Sequence, residues 1–207
     1  MLKEDVKHIL ENIRHRVMTP GLKNLSIDKI DGMAGVPHEM LYKYFRTDEE
    51  LVEKLLELER EKFMEIFLQY NFEDKNAIDI LMIVSKEVAQ KFSDISPVLT
   101  HQLRGMYPEI YQAHFDKRID FISSKIKINL QKGISQGMYR SDLSTELISR
   151  LYISRLIDLH NPDFFPPEAF SFKTIFDQMF ENFIRSVATP KGLTYYEKQK
   201  KINNISF

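Results

Sequence analysis

The sequence predicts an all-α protein, with an N-terminal three-helix helix-turn-helix domain, a larger C-terminal helical domain and about nine helices in all. Three observations lead there. Apolar residues recur at three- and four-residue spacing through most of the chain. Only seven glycines and eight prolines interrupt 207 residues, which favours long helices over many short strands. No stretch makes a convincing strand.

The first helix is expected from about Glu4 to Met18, with Val6, Ile9, Leu10, Ile13 and Val17 on one face. Thr19-Pro20-Gly21 ends it. Ser26 is a good N-cap for a short second helix carrying Ile27, Ile30 and Met33 on one side. Ala34-Gly35-Val36 then turns the chain, Gly35 being able to adopt a positive φ. Pro37 has a preset φ that suits the first turn of a third helix, Pro37 to Phe45, rich in aromatic residues. Two short helices around a tight glycine-containing turn form a unit that lays its second helix in the DNA major groove. DNA binding is therefore the first functional hypothesis.

Thr47 or Asp48 caps a long helix that opens on Glu49-Glu50, where negative charge suits the dipole. Its stripe of Leu51, Leu55, Leu58, Phe63, Ile66 and Phe67 runs to about Tyr70. After the polar break Asn71 to Lys75, a strongly apolar helix spans Ala77 to Phe92. Ser96-Pro97 opens a short helix that stops before Pro108. Glu109 to about Lys132 is long and amphipathic, with Ile110, Phe115, Ile119, Ile122, Ile126 and Leu130 inward. Gly133 and Gly137 punctuate its end, and Tyr139 to Leu143 makes a compact turn. Ser144 caps a helix through Leu159, Asn161-Pro162 and Pro166-Pro167 bracket a loop, and a final helix covers Phe170 to Val187. The expected divisions are residues 1–46, 47–188 and a basic tail, 189–207.

Composition narrows the function classes. With 43% hydrophobic and 29% charged residues the chain is an ordinary globular protein. It has no cysteine, hence no disulfide framework, thiolate nucleophile or cysteine-based zinc site. Neither a signal peptide nor a membrane span is expected, which fits a cytoplasmic protein. The net charge of −1 argues against indiscriminate coating of nucleic acid. Residues 1–46 nevertheless carry eight Lys/Arg against six Asp/Glu, a positive head on an acidic body.

Leu25 to Leu51 resembles the operator-binding domain of the TetR (tetracycline-repressor-like) transcriptional regulators. Gly21, Ser26, Ile30, Ala34, Gly35, Val36, Leu41, Tyr42, Tyr44, Phe45, Glu49 and Leu51 carry the resemblance, in order and without a gap. It covers roughly Asp5 to Leu55. The resemblance implies a homodimeric regulator, a repressor in the simplest case, bound to a palindromic operator in double-stranded DNA. It further implies release or modulation by a small-molecule effector in the helical body. Departures from the family pattern are Asp28, Asp31, Glu39 and Asp48.

The implied DNA-facing residues are Ser26, Pro37, His38, Glu39, Met40, Tyr42, Lys43 and Tyr44. Lys43 suits a phosphate or a guanine edge, His38 a base edge, Met40 a thymine methyl and Glu39 a cytosine N4 donor. The tyrosine hydroxyls suit phosphate oxygens, and Ser26 opens a helix start suited to one phosphate. Each has a plain structural alternative: Tyr42 and Phe45 packing the head, His38 a surface histidine, Glu39 a helix-start carboxylate, Asp48 a cap. Candidates for an effector pocket are Met82, Met106, Tyr107, Tyr111, His114, Phe115 and Phe121, which would otherwise be core. A dimer interface is expected from Leu147, Leu151, Phe172, Phe176, Met179, Phe180 and Phe183, with burial inside the monomer as the alternative. No cofactor or metal is expected, and no hydrolase, phosphate-loop or dinucleotide motif suggests an enzyme. The competing class is a helical homodimeric interaction protein whose head has lost its operator.

Overall fold

The computed structural model describes residues 3–17, 26–30, 38–92, 97–159, 161, 163–166 and 168–202. These form ten helices and, among the described residues, a single isolated antiparallel bridge, Tyr139 to Ala188. None of these helices is long and apolar enough to cross a membrane. The turn at Ala34-Gly35-Val36, the Thr19-Pro20-Gly21 stop, Pro37 and Asp31 lie outside the described residues, as do the side chains of His38 and Met40.

Two compact units emerge, Met1–Glu65 with Asp94–Arg118, and Ile66–Ser93 with Ile119–Phe207. The first holds α1 (Glu4–Val17), α2 (Ile27–Ile30), α3 (His38–Tyr44), most of α4 (Asp48–Gln69), α6 (Pro97–Met106) and the start of α7 (Pro108–Ser135). Its core joins Ile9, Leu10 and Ile13 of α1 to Ile27 and Ile30 of α2. Leu41 and Phe45, at and just beyond α3, and Leu51, Val52, Leu55, Leu56 and Leu58 of α4 complete it with Leu103 of α6. Leu41, Phe45, Leu51 and Leu58 are fully buried. The expected boundary after residue 46 is thus displaced, because the leucines of α4 are buried in the same core as the head helices.

Ion pairs set the register of α1 on α4. Lys7 pairs with Glu65, Glu11 with Lys62, and Arg14 with Glu59. The partner number falls as the α1 number rises, so the two helices run antiparallel. The Arg14–Glu59 pair is buried. A buried pair of this kind contributes more to fixing register than to net stability. Thr47 accepts the Glu50 N–H at 3.2 Å, and Glu50 reaches back to the Arg46 N–H at 2.9 Å, a variant of the capping box at the start of α4.

The second unit contains α5 (Ala77–Lys91), α8 (Thr145–Asp158), α9 (Phe172–Val187), α10 (Pro190–Ile202) and the later parts of α4 and α7. Helix α5 packs on α9 and α10. Asn76 caps it, accepting the Ile78 N–H at 2.9 Å, and Ser144 caps α8 as the sequence suggests. Helix α7 ends in a left-handed turn: Gly137 has φ +67, its N–H donates to Ile134, and the Met138 N–H donates to Gly133. That is the Schellman arrangement, which a glycine makes at little steric cost. The chain then bridges to the α9–α10 junction, Arg140 N–H to Val187 and Thr189 N–H to Met138, each 2.9 Å.

The segment expected as a basic tail is mostly helix. Tyr196 of α10 is fully buried, the Tyr195 hydroxyl donates to Asp79 at 2.7 Å, and Lys200 pairs with Glu181. Its lysines obscured a helix that starts on Pro190 and buries Gly192 and Tyr196, four residues apart. Residues 203–207 lie outside the described ones.

Gly133 faces the buried Tyr139 ring, whose hydroxyl donates to Asn129 at 3.1 Å; a Cβ at Gly133 would lie 2.0 Å from that ring. Gly133→Ala should therefore lower stability by about 1–3 kcal/mol through overpacking, although alanine is the better helix former. Urea unfolding checks this, and a raised midpoint would show that the ring yields.

Candidate functional site

The described part of α3 divides cleanly. Leu41 and the following Phe45 are buried, and Tyr44 packs against the same core. Glu39, Tyr42 and Lys43 are exposed, as is Arg46 just beyond the helix. The Lys43 ammonium lies 5.6 Å from the centre of the Tyr44 ring, a cation–π arrangement that steadies a flexible side chain. Of the expected DNA-facing residues, Glu39, Tyr42 and Lys43 thus share the outer surface, and Tyr44 is drawn inward. Pro37 lies outside the described residues and the side chains of His38 and Met40 are not described.

Two acids that depart from the family pattern have structural partners. The Tyr42 hydroxyl donates to Asp28 at 2.7 Å, tying α3 to α2. That hydroxyl has one proton, so while the bond holds it cannot also donate to a phosphate. Asp48 accepts the Ile27 N–H at 2.7 Å, placing a carboxylate of α4 at the start of α2. Ser26 accepts the Lys29 N–H, with Oγ at 3.4 Å and its carbonyl at 3.2 Å. The helix start expected to hold a phosphate through Ser26 therefore already has an internal anion. Neither partner was visible in local spacing, because Asp28–Tyr42 and Ile27–Asp48 are separated by 14 and 21 residues.

The expected effector-pocket residues are divided between the two units. Met82 is buried and Phe121 stacks edge-on with Phe67 at 5.4 Å, both in the second unit. Met106 is exposed, and Tyr107 and Tyr111 pack against the head core. Phe115 stacks on Tyr111 at 6.2 Å. His114 lines a cleft that α4 and α7 form within the first unit. Its other walls are Glu53, Leu56, Arg60, Glu109, Ile110, Ala113 and Lys117, charged and aliphatic residues outside the aromatic and methionine set expected from the sequence.

His114 is buried, and its Nδ1 lies 3.0 Å from Arg60 Nη1. Guanidinium only donates, so Nδ1 is the acceptor and the ring proton sits on Nε2. Burial pushes the ring down to about 3, helped by the positive charges of Arg118 and Arg60.

The expected dimer stripe is divided too. Phe176, Met179, Phe180 and Phe183 are buried inside their own subunit, Phe183 against Tyr152 of α8 at 4.7 Å. Phe172 is half-buried and stacks on Phe176 at 5.5 Å. This corrects the interface reading for the α9 stripe: an amphipathic helix turns its bulky face to the nearest core, here its own. The outward face of α9 carries Lys173, Thr174, Gln178, Asn182 and Arg185. Leu147 and Leu151 of α8 remain exposed, one turn apart.

Asp48→Ala removes the carboxylate at the start of α2, so thermal unfolding should show a loss of about 1 kcal/mol. His114 gives a pH signature. Between its folded value near 3 and its ordinary 6.5, the unfolded chain takes up a proton that the folded chain refuses. Its contribution is complete above pH 6.5 and erodes as pH falls, by about 2 kcal/mol at pH 5. Denaturant titrations at pH 7.5 and 5 check this, and His114→Gln should flatten the difference.

No family model matches the chain, and no curated protein matches it. Solved structures do. A TetR transcription regulator from Haloarcula marismortui superposes with a TM-score of 0.71 at 16% identity, over 90% of this chain and 100% of the other. The fatty acid degradation regulator FadR from Bacillus halodurans gives 0.68 at 16% identity, covering 89% and 96%. SmeT in complex with triclosan gives 0.66 at 11% identity, covering 90% and 93%. The N-terminal resemblance in sequence is thus joined by agreement along nearly the whole length, and the chain has the fold of the TetR-family transcriptional regulators.

Proposed function

We propose that the chain is a sequence-specific DNA-binding transcriptional regulator, acting in the cytoplasm as a homodimer on a palindromic site. One observation carries the reading: α3 is pinned through Leu41 and Phe45 and leaves Glu39, Tyr42, Lys43 and Arg46 outward. A rigid short helix with a polar outer face is what entry into a major groove requires. Lys43 and Arg46 supply phosphate or guanine contacts, and Glu39 accepts from a cytosine N4 group. Tyr42 braces α3 on α2 through Asp28 and sets the helix angle.

A single head offers too few phosphate contacts for tight specific binding, so two heads on a two-fold site are required. The exposed Leu147 and Leu151 of α8 are the apolar residues through which copies pair. The triclosan complex of SmeT, which shares this fold, supports a small-molecule effector here as well.

Gel-shift titration against the intergenic DNA flanking the gene tests the reading. A specific complex should form, and its affinity should fall steeply with salt. Lys43→Ala should lower the logarithmic salt slope by about 1, and the Tyr42→Ala, Lys43→Ala double variant should abolish the complex while sedimentation still reports a dimer. Absent binding at low salt would point instead to an interaction protein, a reading that the exposed acids Asp28 and Glu39 favour.

A further inference from the structure

The cleft between α4 and α7 in the first unit is ordered by charge. Glu53, Leu56 and Arg60 fall on one face of α4 by their three- and four-residue spacing, and Glu109, Ala113 and Lys117 on one face of α7. Tyr107 feels the charges of Asp48 and Glu49, and Arg118 that of Glu59, so the two helices run alongside each other in the same direction. The acids Glu53 and Glu109 therefore mark one end of the cleft and the cations Arg60 and Lys117 the other. Leu56, Ile110 and Ala113 lie between them.

These four charges contrast with their neighbours. Lys54 pairs with Glu57, Glu59 with Arg14, Lys62 with Glu11 and Glu65 with Lys7. Glu53, Arg60, Glu109 and Lys117 form no salt bridge among the described residues; Arg60 bonds only the neutral ring of His114. The cleft has a volume of about 250 Å³, below the roughly 300–1,000 Å³ of drug-sized pockets, so its ligand is small.

We propose that this cleft binds a small zwitterion, with its ammonium group between Glu53 and Glu109 and its carboxylate on Arg60 and Lys117. The lining carries equal numbers of acids and bases, so a purely anionic ligand meets repulsion at one end and a purely cationic one at the other. Glu53 and Arg60 are two helical turns apart, about 10 Å. Allowing about 2.8 Å for a charge-assisted contact at each end leaves about 5 Å between the charges of the ligand. A linear ω-amino acid of four or five carbons fits that span, its methylenes lying over Leu56, Ile110 and Ala113. The binding itself is independent of DNA; its role as the effector site rests on the regulator reading above.

Isothermal titration calorimetry of the full chain tests this with 5-aminopentanoate as the probe and pentanoate and pentylammonium as single-charge controls. The zwitterion should saturate one site per chain and bind at least about tenfold more tightly than either control, a difference of about 1.4 kcal/mol. Glu53→Gln and Arg60→Gln should each weaken it about tenfold or more. Lys117→Gln should do likewise without touching the Arg60–His114 bond, and circular dichroism establishes that each variant is folded. No saturable heat up to about 10 mM, equal binding of pentanoate, or full affinity in the Lys117→Gln variant would overturn the proposal. Failure here leaves the gel-shift result untouched, and a failed gel shift leaves this binding untouched.

Discussion

Helices of four and seven residues do not persist alone in water, where segments shorter than about 12–15 residues are marginal. Both α2 and α3 are of this kind. They exist because Ile27, Ile30, Leu41 and Phe45 are buried against α1 and α4. The same burial dictates what α3 presents outward, since a helix that hides Leu41 and Phe45 must expose Tyr42 and Lys43. The exposed polar face and the buried apolar one are two sides of one short element. The Tyr42–Asp28 bond and the Asp48 carboxylate at Ile27 then fix α2 and α3 against their neighbours.

Helix α4 organises the first unit through its charges as much as through its leucines. Its Glu59, Lys62 and Glu65 pair with Arg14, Glu11 and Lys7 and set an antiparallel register along α1, and its first residue closes the start of α2. Among the described residues Glu53 and Arg60 join no salt bridge, in contrast to the paired charges of α4, and they mark the face turned to α7. His114 is held neutral by burial and by the positive charges of Arg118 and Arg60, and acts as an acceptor for Arg60.

Much of this was legible in the sequence. Periodicity placed nine helices and most of their ends, and Ser144 and the Thr47 cap did what their chemistry suggests. What escaped were relations between distant residues: Asp28 with Tyr42, Asp48 with Ile27, Arg14 with Glu59. Each needs two elements to meet, and a one-dimensional pattern carries no trace of which do. The stripe on α9 shows the complementary limit. Spacing reveals that Phe176, Met179, Phe180 and Phe183 share a face, but whether that face meets its own subunit or another copy is decided by packing. Helix α10 was hidden because lysines dominate its composition while the buried side comes down to Gly192 and Tyr196.

The docking of α10 has a consequence for how the chain assembles. The Tyr195–Asp79 bond spans 116 residues, and the bridge at Tyr139 waits on Ala188. Contacts of such separation form late, because the intervening loop must close before they are rewarded. While the polypeptide emerges from the ribosome, α5 has neither α9 nor α10 to cover it, and its apolar side stays open to chaperones or to self-association. The α1–α4 register, by contrast, is available once residue 65 is out. Biogenesis is therefore staged, with the head helices able to pair early and the second unit completed only after translation has delivered α10.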